Sequence, residues 1–168
     1  MAEEVWLRGP VPGVDPWLMP VVHSLLQVKE EIDAVAVTLT DEQLWRRPGG
    51  AASVGFHIRH IGGSAERLLT YARGEQLSSA QLAASEREST EELPRTHLLA
   101  ECHAALDRAL DQMRTTPASG LLEGRTVGRR GLPSTTLGLV FHVAEHALRH
   151  AGQAITTARI VVGTGGPG

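Results

Sequence analysis

Residues 134–160 read STTLGLVFHVAEHALRHAGQAITTARI, and the fold follows from how this stretch is spaced. Leu139, Val143, Ala147, Ala151 and Ala154 recur at helical intervals and mark one apolar arc, while Glu145 and Arg149 mark the opposite, wet side. The segment therefore predicts one long amphipathic helix from Ser134 to about Ile160. It also carries His142, His146 and His150 at four-residue steps.

Three further helical stretches precede it, separated by Pro- and Gly-containing breaks. The first runs from about Pro16 to Leu39, capped by Asp15, with Leu18, Val22, Leu25, Lys29, Ile32 and Val35 along its inner face. A brief helical turn over Thr40 to Leu44 is stopped by Pro48-Gly49-Gly50. The second long stretch starts at the N-cap Ser53 and ends at Gly74, with Val54, Ile58, Ile61, Ala65, Leu68 and Ala72 as its stripe. Glu75 to Pro94 is polar and reads as loop with a helical turn around Ala80 to Ala84. The third helix covers roughly Thr96 to Met113, and Thr115 to Pro133 forms a long connection in which Arg125-Thr126-Val127 has extended character. Four amphipathic helices without alternating strands predict an all-α four-helix bundle. One domain over residues 1–160 and a disordered Gly-rich tail over 161–168 complete the expected layout.

Composition narrows the function classes. With 16 Lys plus Arg against 19 Asp plus Glu the formal net charge is -3, which supplies no electrostatic reason for a nucleic-acid or anionic-membrane partner. The single Cys102 excludes an internal disulfide framework and suits a reducing compartment. No stretch approaches a membrane span, and MAEEVWLRG places acids where a secretory signal needs a basic start. The expectation is a soluble, cytoplasmic protein. Cys102 lies on the apolar stripe of the third helix and is expected to pack as a small hydrophobe.

Two stretches concentrate the histidines, since His57 and His60 form a second group in VGFHIRHIGG. Imidazoles four apart on a helix are ~6 Å apart along its axis and can share one ion, whereas His142 and His150 are ~12 Å apart and cannot. The helical wheel puts His150 nearest the apolar arc, His146 next and His142 on the polar side, which selects 146/150 as the ligating pair. A third ligand must come from another helix, and the second helix offers His57 or His60. Its own wheel places His57 closer to the apolar stripe. Three neutral imidazoles with open coordination suit a catalytic site for zinc or nickel, because a closed structural zinc site takes four protein ligands. His23, His97 and His103 stand alone and are expected to be ordinary satisfied histidines. A di-iron carboxylate site needs Glu-x-x-His, which occurs nowhere in the chain, and covalent haem needs a second cysteine.

SVGFHIRHIGGSAERLL from Ser53 resembles the Ser-(x)6-His-[Ile/Leu] signature of the DinB-like (YfiT-like) family of small metal-binding bundles. EHALRHAGQ from Glu145 is similar to that family's His-x-x-x-His-x-Gly-Gln signature, and LTDEQLWRRP from Leu39 to its segment after the first helix. The resemblance spans most of Leu18 to Ile160. It implies an up-down-down-up bundle with a long crossover between the second and third helices. It further implies a divalent metal on His60, His146 and His150. His57, His142 and Gln153 are then expected as outer residues, and Phe56 and Tyr71 are expected to flank His60. Some relatives are homodimers, and some are transferases or isomerases using bacillithiol or mycothiol. The expectation is a metal-dependent thiol S-transferase or related hydrolase-like enzyme, with a non-catalytic, stress-associated metal- or ligand-binding bundle as the alternative. Arg125, Arg129 and Arg130 are the residues that would meet an anionic thiol, although a solvated loop is the plainer reading of them.

Overall fold

Ser53 accepts a hydrogen bond from the backbone N–H of Phe56, and with that cap the central helix α3 (Val54–Ala72) begins. It ends where Gly74 takes φ +81°, a left-handed turn that favours glycine. The computed structural model describes residues 3–163, and these hold six α-helices and one two-stranded sheet. The long helices are α3 together with α1 (Met19–Ala36), α5 (Arg95–Thr115) and α6 (Thr136–Gly163). Two short ones, α2 (Asp41–Trp45) and α4 (Ser79–Arg87), lie in the connections. None is long and apolar enough to cross a membrane.

The four long helices close into a ring in which α3 packs on α6 and α5, and α1 packs on those same two helices. Side-chain pairs give the directions. His57 meets His150 and His60 meets His146, so α3 and α6 are antiparallel. Glu66 pairs with Arg108 and the Leu69 carbonyl accepts from Gln112, so α3 and α5 are parallel. Lys29 pairs with Asp107 and Asp33 with His103, so α1 and α5 are antiparallel. The described residues are helical apart from one hairpin, as an all-α bundle requires.

Leu18, Leu25, Ile32, Ile58, Ile61, Leu98, Leu106 and Met113 are fully buried and fill the ring. Burying each such side chain contributes roughly 1.5–3 kcal/mol. Val28, not Lys29, is the inward residue of α1; Lys29 instead reaches Asp107 at the surface. Trp45 from α2 lies flat over Gly55, where any Cβ would collide with its ring, and its indole N–H donates to the Leu93 carbonyl at 2.9 Å. That contact ties the crossover to the bundle.

Four expectations need adjustment. The turn expected around Ala80 to Ala84 is a nine-residue helix, α4, opened by a capping box between Ser78 and Gln81. Pro16–Leu18 is a 3-10 turn, capped by Asp15, from which α1 continues. The connection before α6 contains a true hairpin, β1 (Gly124–Val127) against β2 (Leu132–Thr135), antiparallel with Arg125 opposite Ser134. Finally, α6 continues through Val161, Val162 and Gly163, where a tail was expected; the remainder of that tail lies outside the described residues.

Candidate metal centre

The site is built on the seam between α3 and α6. Antiparallel packing sets the i, i+3 pair His57 and His60 opposite the i, i+4 pair His146 and His150. Ala147 and Ala151, the residues that follow His146 and His150, are both buried. His60 Nε2 stands 2.9 Å from His146 Nε2, and His57 Nδ1 stands 2.9 Å from His150 Nδ1. Ring centroids of His60 and His146 lie 4.6 and 4.5 Å from that of His150. Among the described residues, His60, His146 and His150 each offer a nitrogen within 4.8 Å of the others, so the three could hold a metal ion.

The surroundings favour neutral imidazole. Burial, followed by the charge of His60, lowers both His146 and His150 to about 4. Burial and then His60 lower His57 in the same direction. Such rings carry lone pairs at neutral pH, which is the state a metal ligand needs. Phe56 lies parallel to His60, centroids 5.3 Å apart at 12°, and presents its edge to His57 and His150. It forms an apolar wall on one side of the cluster.

The fit to a cation can be judged from the nitrogens themselves. Two lone pairs 2.9 Å apart repel unless a proton or a cation lies between them, and two nitrogens bound at ~2.0–2.1 Å to one zinc are at most ~4.2 Å apart. The His60 and His146 pair satisfies that limit. His146 Nδ1 is buried without a hydrogen-bond partner, so the polar contact that orients this ring is the one its Nε2 makes with His60. A divalent ion bound at that Nε2 would hold the ring in the same orientation. The donor set fits.

The other expected residues fall as follows. His57 is 5 % exposed, as its wheel position implied, and meets His150 through its Nδ1. His142 is exposed at the rim, bonded to Glu145 Oε2 at 3.0 Å, with its ring 5.3 Å from that of His146. Gln153 is exposed and forms no hydrogen bond with the histidines. Tyr71 does not flank His60. It lies in the hydrophobic core about 16 Å further along α3. Arg125 is likewise remote, its Nε donating to the Ala72 carbonyl at the far end of that helix, while Arg129 and Arg130 are exposed. Cys102 is buried and burial pushes its thiol up to about 12, consistent with packing rather than reactivity.

One buried residue escaped the sequence reading altogether. Glu88, just past α4, accepts from His60 Nδ1 at 2.7 Å and pairs with Arg67 on α3. Burial opposes its charge, yet the hydrogen bonds from His60 and Arg67 outweigh burial and hold its carboxyl below the usual range. The capping box at Ser78 was the available signal for the helix that delivers it.

No curated protein matches the chain. The sequence model of the DinB superfamily matches residues 24–154, which include α3, all of the histidine cluster and the crossover with Glu88. Over that span, which is well beyond half of its length, the chain belongs to the DinB superfamily.

Proposed function

We propose that this protein is a divalent-metal enzyme in which His60, His146 and His150 hold zinc or nickel. The observation that carries the reading is the convergence of three ring nitrogens from two helices, without a fourth ligand in the group. Three imidazoles suit either ion, and a site closed for structural purposes would supply four ligands. A bound ion would supply Lewis-acid chemistry, lowering the pKa of a thiol or water so that it is a nucleophile at neutral pH.

The chain's own residues then have definite tasks. Phe56 shields one face of His60 from water, which strengthens electrostatic interactions beside it. His142, exposed and bonded to Glu145, stands at the rim of the cluster. The reaction class supported best is S-transfer of a low-molecular-weight thiol of the bacillithiol or mycothiol type, with hydrolysis as the related alternative. Support for the thiol comes from the family resemblance. The hairpin arginines do not add to it, because Arg125 is bound at the other end of α3. The cytoplasm and a homodimeric state belong to the same proposal.

Elemental analysis of untagged protein should find close to one metal per chain. His146→Ala should be metal-free and His142→Ala fully loaded. With a panel of thiols and electrophiles, turnover should appear and disappear with the metal. Metal that raises thermal stability while no panel member reacts would replace this reading with that of a non-catalytic binding bundle.

A further inference from the structure

Glu88 is 5 % exposed, and a buried carboxylate survives only with hydrogen bonds and a countercharge. Arg67 supplies the charge through two nitrogens, and His60 Nδ1 supplies the remaining bond. The seat itself is made by a missing side chain. Gly63 lies on α3 three residues after His60, and a Cβ there would occupy the space that Glu88 Oε1 fills. Glycine is a poor helix former beside alanine, and here its bare Cα is what leaves room for the carboxylate.

The chemical consequence falls on His60. An ionised carboxylate only accepts, so the proton on the His60 ring must sit on Nδ1. When the ring is neutral, Nε2 is then the lone-pair nitrogen, and Nε2 is the atom that faces His146. We infer that Glu88, seated on Gly63 and locked by Arg67, is a positioning residue that fixes the tautomer and ring orientation of His60 for the metal. A simple ion pair with Arg67 would account for the burial of Glu88 but would leave His60 indifferent to it. The inference rests on the proposed metal role for the cluster. Its action on His60, however, is present without metal.

Long-range proton–nitrogen correlation spectra of labelled, metal-free protein at about pH 8, above the ordinary histidine range, give the first readout. Wild-type His60 should carry its proton on Nδ1, and Glu88→Ala should shift it toward Nε2. Zinc competition against a chromophoric chelator gives the second. Glu88→Ala should weaken zinc roughly 10–100-fold, the scale of outer partners to ligating histidines. Gly63→Ala should weaken it comparably with Glu88 still present, because only the flexible ends of Glu88 and Arg67 must move. Glu88→Gln, which keeps an acceptor oxygen, should recover part of the loss. A wild-type His60 protonated on Nε2, or Glu88→Ala and Gly63→Ala proteins that bind zinc like wild type, would overturn the assignment. Were Glu88→Ala unable to fold, Gly63→Ala and the wild-type spectrum would still decide. Wild type that binds no zinc would remove the metal reading, and the tautomer would still report on Glu88.

Discussion

Two antiparallel seams run through this bundle, and each brings histidine together with a carboxylate. Between α1 and α5, the buried His103 Nε2 lies 2.9 Å from Asp33 Oδ1 and Lys29 pairs with Asp107, the two carboxylates being open to solvent. Between α3 and α6, His60 is bonded to a buried Glu88 and turns its other nitrogen toward His146. The first seam uses polar groups as solvated borders of a packed interface. In the second, imidazoles replace the border and bring their ring nitrogens face to face. The difference teaches that a histidine on a helix is not informative by itself. What separates the two is whether its second nitrogen has another ligand to meet.

The comparison breaks most sharply on metal binding. His60→Ala or His146→Ala should reduce zinc affinity by more than the roughly 10–100-fold that outer partners are worth, while His103→Ala should leave it unchanged in the same chelator competition. Equal losses at His103 and His60 would erase the distinction between the seams. Next in size is a purely structural change on the same helix. Ile61, adjacent to His60 but fully buried, should cost about 2–5 kcal/mol when replaced by alanine, measured by denaturant unfolding of metal-free protein, and zinc affinity of the folded fraction should hold.

A pH series sharpens the contrast further. His146 and His150 are lowered to about 4 in the folded protein, whereas unfolded histidines titrate near about 6.5. Between those values the unfolded chain binds more protons, so stability rises with pH across the window and is lost as pH falls through it. The metal-free melting temperature should therefore drop from about pH 6.5 toward 4, and a His146→Leu, His150→Leu double variant should flatten that drop. An unchanged slope in the double variant would show that other groups govern it. The smallest effect belongs to the first seam. Asp107 is largely exposed, so Asp107→Asn should cost about 0–1 kcal/mol and fade with added salt.

Much of this was legible in the residues. Ser53 and Gly74 bounded α3 correctly because a cap and a left-handed terminator are local devices. The arc of Leu139, Val143, Ala147, Ala151 and Ala154 is buried throughout, as a 3.6-residue period requires when one face meets a core. The wheel also set His142 apart as the exposed one of the α6 histidines, His146 and His150 both being half-buried. Between His57 and His60 it favoured His57, and His60 came from the motif. His57 is indeed the more buried, but burial is not the property that matters; the ring nitrogen that converges with His146 belongs to His60. Tyr71 was misplaced because neighbours on one helix stripe need not share a site when they are several turns apart.

Helix periods, caps and the i+4 spacing of the α6 histidines act over a few residues, and the sequence by itself determined them because backbone hydrogen bonding and apolar patterning are local. The meeting of His60 with His146, and the arrival of Glu88 on Gly63 beneath His60, join residues 86 and 28 positions apart. Only tertiary structure decided those, because the packing of α3 against α6 and the path of the crossover fix distances that no local rule encodes.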